Sequence, residues 1–317
     1  MATFMNSISV VTLLFLLMGV GYFLGKIGWI DGRVKKFLSL FVVNVCVPAN
    51  CLTGILNNMT HEDLLASWKY VLVAAVSILI NLVIAITAAH FLRLPRSRGG
   101  VFIAQSFLAN TIFIGVPVCT QLFGDVSIPY LMMYYLASTT FNQSLAMLLV
   151  SHAGTGGAKK ITPAGLLHDI VTKPPIIGII VSVCCLVIGY RPPALIMNFA
   201  KYLTNCVTPL ALIYCGYIIY DLGLKNLKLM RGIPTMLFLR FPVAALVCYA
   251  CCRLAGMSGL MLQVFVIEAS LPVVTQITVM AGAYGADEKY CATGTIISYF
   301  LMFVTLPVIV MWLSAVA

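Results

Sequence analysis

Ala109-Asn110-Thr111-Ile112-Phe113-Ile114-Gly115-Val116-Pro117-Val118-Cys119-Thr120-Gln121 lies in the middle of an apolar run long enough to cross a bilayer. Within it, Gly115 and Pro117 break helices, and Asn110, Thr111, Thr120 and Gln121 are ill suited to lipid. Pro117 has no N–H, so the carbonyl of Phe113 loses its helical partner. In a bilayer such a break survives only where protein or a water-filled cavity surrounds it. Far along the chain, Pro272-Val273-Val274-Thr275-Gln276 matches Pro117-Val118-Cys119-Thr120-Gln121 at four of five positions. The two stretches read as broken helices that meet and form a transport site.

Composition sets the solvent. The 317 residues are 62% hydrophobic and 9% charged, with a mean hydropathy of +1.05. A soluble domain carries about a quarter charged residues. At about 20 residues per span, the chain has room for roughly ten spans with short loops. The net charge of +10 follows alternate loops, as a positive-inside pattern requires, and no basic-aromatic patch for nucleic acid is present. Most of the 11 cysteines sit in apolar runs. Cys248, Cys251 and Cys252 approach a metal-ligand spacing, but no histidine is nearby, and they read as small buried hydrophobes. No metal, cofactor or disulfide framework is expected.

Ten apolar segments run over 6–26, 36–57, 68–92, 99–123, 127–151, 170–190, 194–219, 232–254, 258–284 and 290–315. Basic residues cluster after odd-numbered segments: Lys26, Arg33, Lys35 and Lys36; Arg93, Arg96 and Arg98; Lys159, Lys160 and Lys173; Lys225, Lys228 and Arg231; Lys289. The intervening loops carry little more than Lys69, Arg191 and Arg253. This pattern places both termini outside a cytoplasmic membrane that the chain crosses many times. The Gly-rich, basic segment 152–168 reads as a cytoplasmic linker between a first five-helix repeat, 1–151, and a second, 169–317. An odd number of helices per half requires the second repeat to be inverted, as in many secondary transporters. Residues support the repeat. Asn44-Val45-Cys46-Val47-Pro48 echoes Asn205-Cys206-Val207-Thr208-Pro209 at an offset of 161, and the Pro-Val-x-Thr-Gln pair has an offset of 155.

Each break exposes helix ends at membrane depth. The half-helices after the prolines, from Val118 and from Val273, would begin with free N–H groups and a positive dipole end suited to a carboxylate. Asn110, Thr120, Thr275 and Gln276 add directional hydrogen bonds, and Asn142 and Gln143 could line the same space. The alternative is a pair of proline kinks packed against neighbours, but their matched sequences favour a site. Glu268 is the one carboxylate deep inside a span, a functional candidate by default and able to carry a proton. Its alternative is a structural ion pair with Arg240, because both lie roughly 14–15 Å deep at 1.5 Å per residue. Glu268 and Arg240 are therefore the coupling candidates, with proton, sodium or no coupling ion left open.

These motifs together resemble the auxin efflux carrier family of transporters. The resemblance rests on Gly21-Tyr22-Phe23-Leu24-Gly25 with Gly28-Trp29-Ile30-Asp31, on Asn44 to Pro48, and on Asn110 to Pro117 with Phe123-Gly124. Glu268-Ala269-Ser270-Leu271-Pro272, Tyr284-Gly285-Ala286-Asp287 and Thr305-Leu306-Pro307 complete it. It implies organic-anion transport, as in bacterial malate and malonate permeases and plant auxin exporters, and a homodimer. It implies a scaffold of helices 1, 2, 6 and 7, holding Asn44, Pro48, Asn205 and Pro209. A transport unit of helices 3–5 and 8–10 would move against it, with helices 4 and 9 crossing. Asn110 takes the role of carboxylate binding, and Pro117 and Pro272 match the crossover prolines. Ala109 and Ile112 depart from the glycines usual around Asn110.

The reading is an all-α membrane protein carrying a small organic anion by an elevator-like movement, its substrate held by Asn110, Thr111, Gly115, Pro117, Thr120, Gln121, Pro272, Thr275, Gln276 and Asn142. A cation/proton antiporter on the same crossover fold would need an acid on the fifth helix, which has Asn142 and Gln143 instead. A membrane sensor without turnover is the third reading. No nucleophile–base pair suggests an enzyme.

Overall fold

The computed structural model describes residues 2–57, 60–154, 174–223 and 229–316. The expected linker 152–168 lies almost wholly outside the described residues, as do Lys173, Lys225 and Lys228. The described chain is helical: α1 (Ala2–Lys26), α2 (Gly32–Leu56), α3 (His61–Phe91), α4 (Arg96–Phe107), α5 (111–123), α6 (128–153), α7 (Pro174–Ile188), α8 (Ala194–Leu222), α9 (Ile233–Leu254), α10 (Gly259–Ala269), α11 (Thr275–Tyr284) and α12 (Glu288–Val316). Among the described residues, five helices are long and apolar enough to cross a membrane: α2, α9, α12, Trp68–Phe91 of α3 and Ala194–Asp221 of α8. The expected segments 99–123 and 258–284 are each divided, into α4 with α5 and α10 with α11.

Local chemistry sets the element ends. α2 starts where the Asp31 carboxylate accepts the backbone N–H groups of Arg33 and Val34 at 2.9 and 2.8 Å. The bond from Val34 is foremost in holding that carboxyl below its ordinary pKa. α11 ends at Gly285, whose φ of +72° needs no Cβ. Among the described residues, four helices contain a wide, π-type turn: Val42–Cys46 in α2, Thr111–Gly115 in α5, Asn142–Ala146 in α6 and Leu239–Val243 in α9. In α2 the turn runs up to Pro48, and in α9 it contains Pro242. A proline leaves the carbonyl four residues back without its donor, and a wider turn absorbs the mismatch.

The outer surface is what lipid requires. On α3, Leu72, Val76, Leu79, Val83 and Ile86 face outward, while Ala74, Ser77, Ile78, Asn81 and Ala85 are buried. α1 packs most extensively on α8, α2 on α7 and α8, α3 on α4, α6 and α9, and α9 on α10. α1 and α8 touch backbone to backbone: a Cβ on Gly21 would overlap the Ile213 carbonyl, and one on Gly216 would overlap that of Met18. In lipid, where apolar surface gains nothing from leaving water, such close approach is a main source of helix association.

At one end of the bundle the Lys35 ammonium meets Glu288 Oε1 at 2.5 Å, and the Tyr214 hydroxyl donates to Glu288 Oε2 at 2.8 Å. Beside them, Arg98 grips Asp287 Oδ2 through Nε and Nη2 at 3.0 and 2.9 Å. Lys289 lies 3.7 Å from Asp221. These contacts join the starts of α2, α4 and α12 to α8.

Overpacking a close backbone contact costs about 1–3 kcal/mol. Gly21→Val and Gly216→Val are therefore each expected to lower the thermal stability of the detergent-solubilised protein. Gly19→Val, whose Cβ would meet nothing within 4 Å, is expected to leave it unchanged. Equal melting temperatures for all three variants would remove the contact's assigned role.

Candidate functional site

The two helix interruptions meet. α4 ends at Phe107, Leu108 is extended (φ −114°, ψ 135°), and the helix resumes at Thr111. α10 ends at Ala269, and α11 begins at Thr275 after an extended Val274. Ala109 and Val273 form an antiparallel bridge. The Asn110 N–H donates to the Pro272 carbonyl at 2.9 Å, and the Val273 N–H donates to Ser298 Oγ of α12 at 3.3 Å. Backbone groups freed from two helices thus find one another or a side chain, as burial in a membrane protein demands.

This geometry shifts the helix starts from where the prolines alone would put them. The first interruption falls at 108–110, ahead of Pro117, which instead occupies the first turn of Val116–Phe123. That position suits a residue without an N–H. The restarting helices begin at Thr111 and Thr275, not at Val118 and Val273. Pro272 lies within the second extended segment and contributes its carbonyl.

Around the crossing is a polar cavity of about 30 Å³, lined by Asn110, Thr111, Asn142 and Gln276 together with Asn50, Tyr135, Ser138 and Thr139. Asn110 is 3% exposed. Its Nδ2 donates to Tyr299 OH at 3.2 Å and reaches Thr275 Oγ1 at 3.5 Å, and Thr275 and Tyr299 also bond to each other. Gln276 Oε1 accepts from Asn142 Nδ2 at 2.8 Å and from Gln143 Nε2 at 3.1 Å. The oxygens Asn142 Oδ1 and Gln143 Oε1 are buried without a hydrogen-bond partner. The starts of α5 and α11 both bring a positive dipole end to this cavity, although the Thr111 N–H already donates to the Ala109 carbonyl at 3.0 Å and that of Ile277 to the Val274 carbonyl at 3.2 Å. Among the described residues, no Lys, Arg or His lines it. At this volume it holds a water molecule or two, so a multi-atom ligand requires the elements to part.

Glu268 is fully buried. Its Oε1 accepts from Cys119 Sγ at 3.4 Å, and its Oε2 has no hydrogen-bond partner. Gly115 makes room for it: a Cβ there would lie 2.6 Å from Oε2. Among the described residues, Glu268 forms no ion pair with Arg240. The Arg240 guanidinium, 1% exposed, donates instead to the carbonyls of Ser106, at 3.4 Å, and Ala269. Thr120 is partly buried and Gln121 exposed, one turn and more beyond Gly115, and neither lines the cavity. Asn44 and Asn205 are exposed on α2 and α8, Pro48 and Pro209 lie within those helices, and none of the four lines the cavity.

Several site residues were missed in the sequence. Tyr299 comes from the middle of α12, and Ser138 and Thr139 come from the helix turn before Asn142. The polar run Ser138-Thr139-Thr140 inside an apolar segment is a signal that could have marked the latter. Asn50, two residues past Pro48, is another polar residue at span depth.

The family model described as "Membrane transport protein" matches residues 7–310. An uncharacterized transporter of Methanocaldococcus jannaschii is 25% identical over 312 residues, covering 97% of this chain and 98% of its own. An uncharacterized transporter of Methanothermobacter thermautotrophicus is also 25% identical, with 96% and 97% covered. A Rhizobium meliloti protein named "Putative malonate transporter" is 23% identical over 297 residues, with 90% and 89% covered.

Asn110 and Tyr299 belong to one buried network. Asn110→Ala and Tyr299→Phe should each lower stability by about 1–2 kcal/mol. The double variant should lose less than the sum of the two. Thermal melts of the four proteins decide this, and strict additivity would mean that the two groups do not share a network.

Proposed function

Because the chain belongs to the membrane transport protein family, we propose that it carries a small carboxylate across the cytoplasmic membrane by an elevator-like movement, the substrate being held at the crossed interruptions. The observation that carries this reading is the pairing of two extended segments beneath two helix starts, around a polar cavity without a cationic side chain. A helix start offers about half a positive charge. Two of them converging favour an anion at mid-membrane without burying a lysine or arginine beside it. Asn110, Thr111, Thr275, Gln276 and Asn142 supply the directional bonds. The name of the Rhizobium relative makes malonate the first substrate to try.

The movement follows from packing. α1, α2, α7 and α8 pack extensively among themselves, and α3, α4, α6, α9 and α10 do likewise. We take the first set as the scaffold and the second, with α5, α11 and α12, as the moving unit. The two interrupted helices pair antiparallel, as two inverted halves of five spans each would bring them together. In this reading both termini are outside, and the Lys35–Glu288–Tyr214 contacts fasten the moving unit to the scaffold at the cytoplasmic end. Glu268 is assigned proton coupling, supported by its burial and its unpartnered oxygen. The groove of about 460 Å³ lined by Asn198, Lys201, Tyr202 and Asn205 on α8 is polar where lipid would be, which supports a homodimer built on the scaffold.

Proteoliposomes preloaded with unlabelled malonate should accumulate labelled malonate by counterflow. The reading fails if neither malonate nor another small mono- or dicarboxylate moves. Glu268→Gln should abolish drive by a pH gradient while leaving exchange intact, and persistence of the drive would make the acid structural. Glu288→Gln should change turnover by about two- to fivefold, the worth of a partly exposed ion pair, with little change in half-saturation.

A further inference from the structure

Arg240 is the buried charge that the transport reading does not use. It sits in the wide turn of α9, 1% exposed, and among the described residues it has no carboxylate partner within ion-pair distance. An unpaired guanidinium in such surroundings would be strongly destabilising. What compensates it is backbone. One Nη donates to the carbonyl of Ser106, in the last turn of α4, and the other to that of Ala269, the last residue of α10. These are the two helices that stop at the crossing. Each stops with carbonyls that have no intrahelical donor and with about half a negative charge at its end. Two such ends supply about one unit of negative charge, matching one guanidinium. A planar fork holds its donors at a fixed spacing that reaches two separate acceptors, whereas an ammonium offers its three from a single point on a flexible stem.

We propose that Arg240 is a positioning residue, a shared C-terminal cap that holds the ends of α4 and α10 together and so fixes the non-helical segments 108–110 and 270–274 that shape the substrate cavity. It completes a charge arrangement in which the two stopping helix ends face a cation and the two starting ends face the cavity. The proposal rests on reading that cavity as the substrate site, but its structural half stands apart from any substrate.

The test therefore has two readouts on Arg240→Lys and Arg240→Gln, each scored per folded protein after size-exclusion chromatography. Amide hydrogen exchange in peptides covering 106–116 and 270–280 should quicken at least about tenfold in Arg240→Gln, the loss of one charge-assisted bond's worth of protection. It should quicken less in Arg240→Lys, and peptides of the α1–α8 contact should not change. In proteoliposomes, the half-saturation concentration for malonate should rise about tenfold in Arg240→Gln and by less in Arg240→Lys, with maximal rate changing less than half-saturation. Unchanged exchange at both segments overturns the proposal, whatever the transport result. Quickened exchange in a protein that moves no carboxylate keeps the shared cap and rejects the transport reading. If Arg240→Gln does not fold, Arg240→Lys decides alone, because wild-type exchange and half-saturation in that variant would show that a fork is not needed.

Discussion

One hydrogen bond between two broken chains organises the centre of this protein, that from the Asn110 N–H to the Pro272 carbonyl. A helix interrupted inside a membrane leaves donors and acceptors that neither lipid nor water can serve. A single interruption would have to be met by side chains. Two interruptions that cross can meet much of each other's need, and the Ala109–Val273 bridge is that solution. The rest follows. α12 must pass close enough for Ser298 to serve Val273 and for Tyr299 to serve Asn110. α6 must present amides to Gln276. α9 must bring a cation to the carbonyls left over.

The crossing also separates charge without many charged residues. The four helix ends divide into two that stop and two that start, and their partial charges point to opposite needs. Arg240 meets one need from within the protein. The other is left to whatever enters the cavity. Glu268 is lodged against Gly115, where any larger residue would occupy its place.

Much of this was legible in the sequence, and the misses have physical causes. The all-helical, apolar character could be read because lipid imposes length and apolarity on each segment separately, and among the described residues five helices are long and apolar enough to cross a membrane. The existence of two interruptions could be read from Asn110, Pro272 and their neighbours. The position of the first could not. Leu108 and Ala109 are ordinary helix residues, and they are extended because segment 270–274 pairs with them. The proline signal at 117 belongs instead to the start of a helix. Matching Thr120-Gln121 to Thr275-Gln276 by sequence therefore joined residues that lie at different distances from the crossing. Tyr299 and Asn50 arrive from distant parts of the chain, which periodicity cannot reveal. The partners of Arg240 were invisible for a deeper reason: carbonyl groups carry no letter in a sequence.

The wide turns in α2, α5, α6 and α9 bear on how the length of a span can change. Each holds one residue more than a regular turn, and each residue of an α-helix rotates the next by about 100°. In α6 the extra residue sits where Asn142 and Gln143 face Gln276. Loss of one residue from that turn would leave a regular α-helical turn and keep everything beyond it in register, with Met147 and Val150 still in the core, while shifting the amides that face Gln276. A span can therefore take a one-residue change of length at such a turn, whereas the same change elsewhere in the helix would rotate everything beyond it by about 100°.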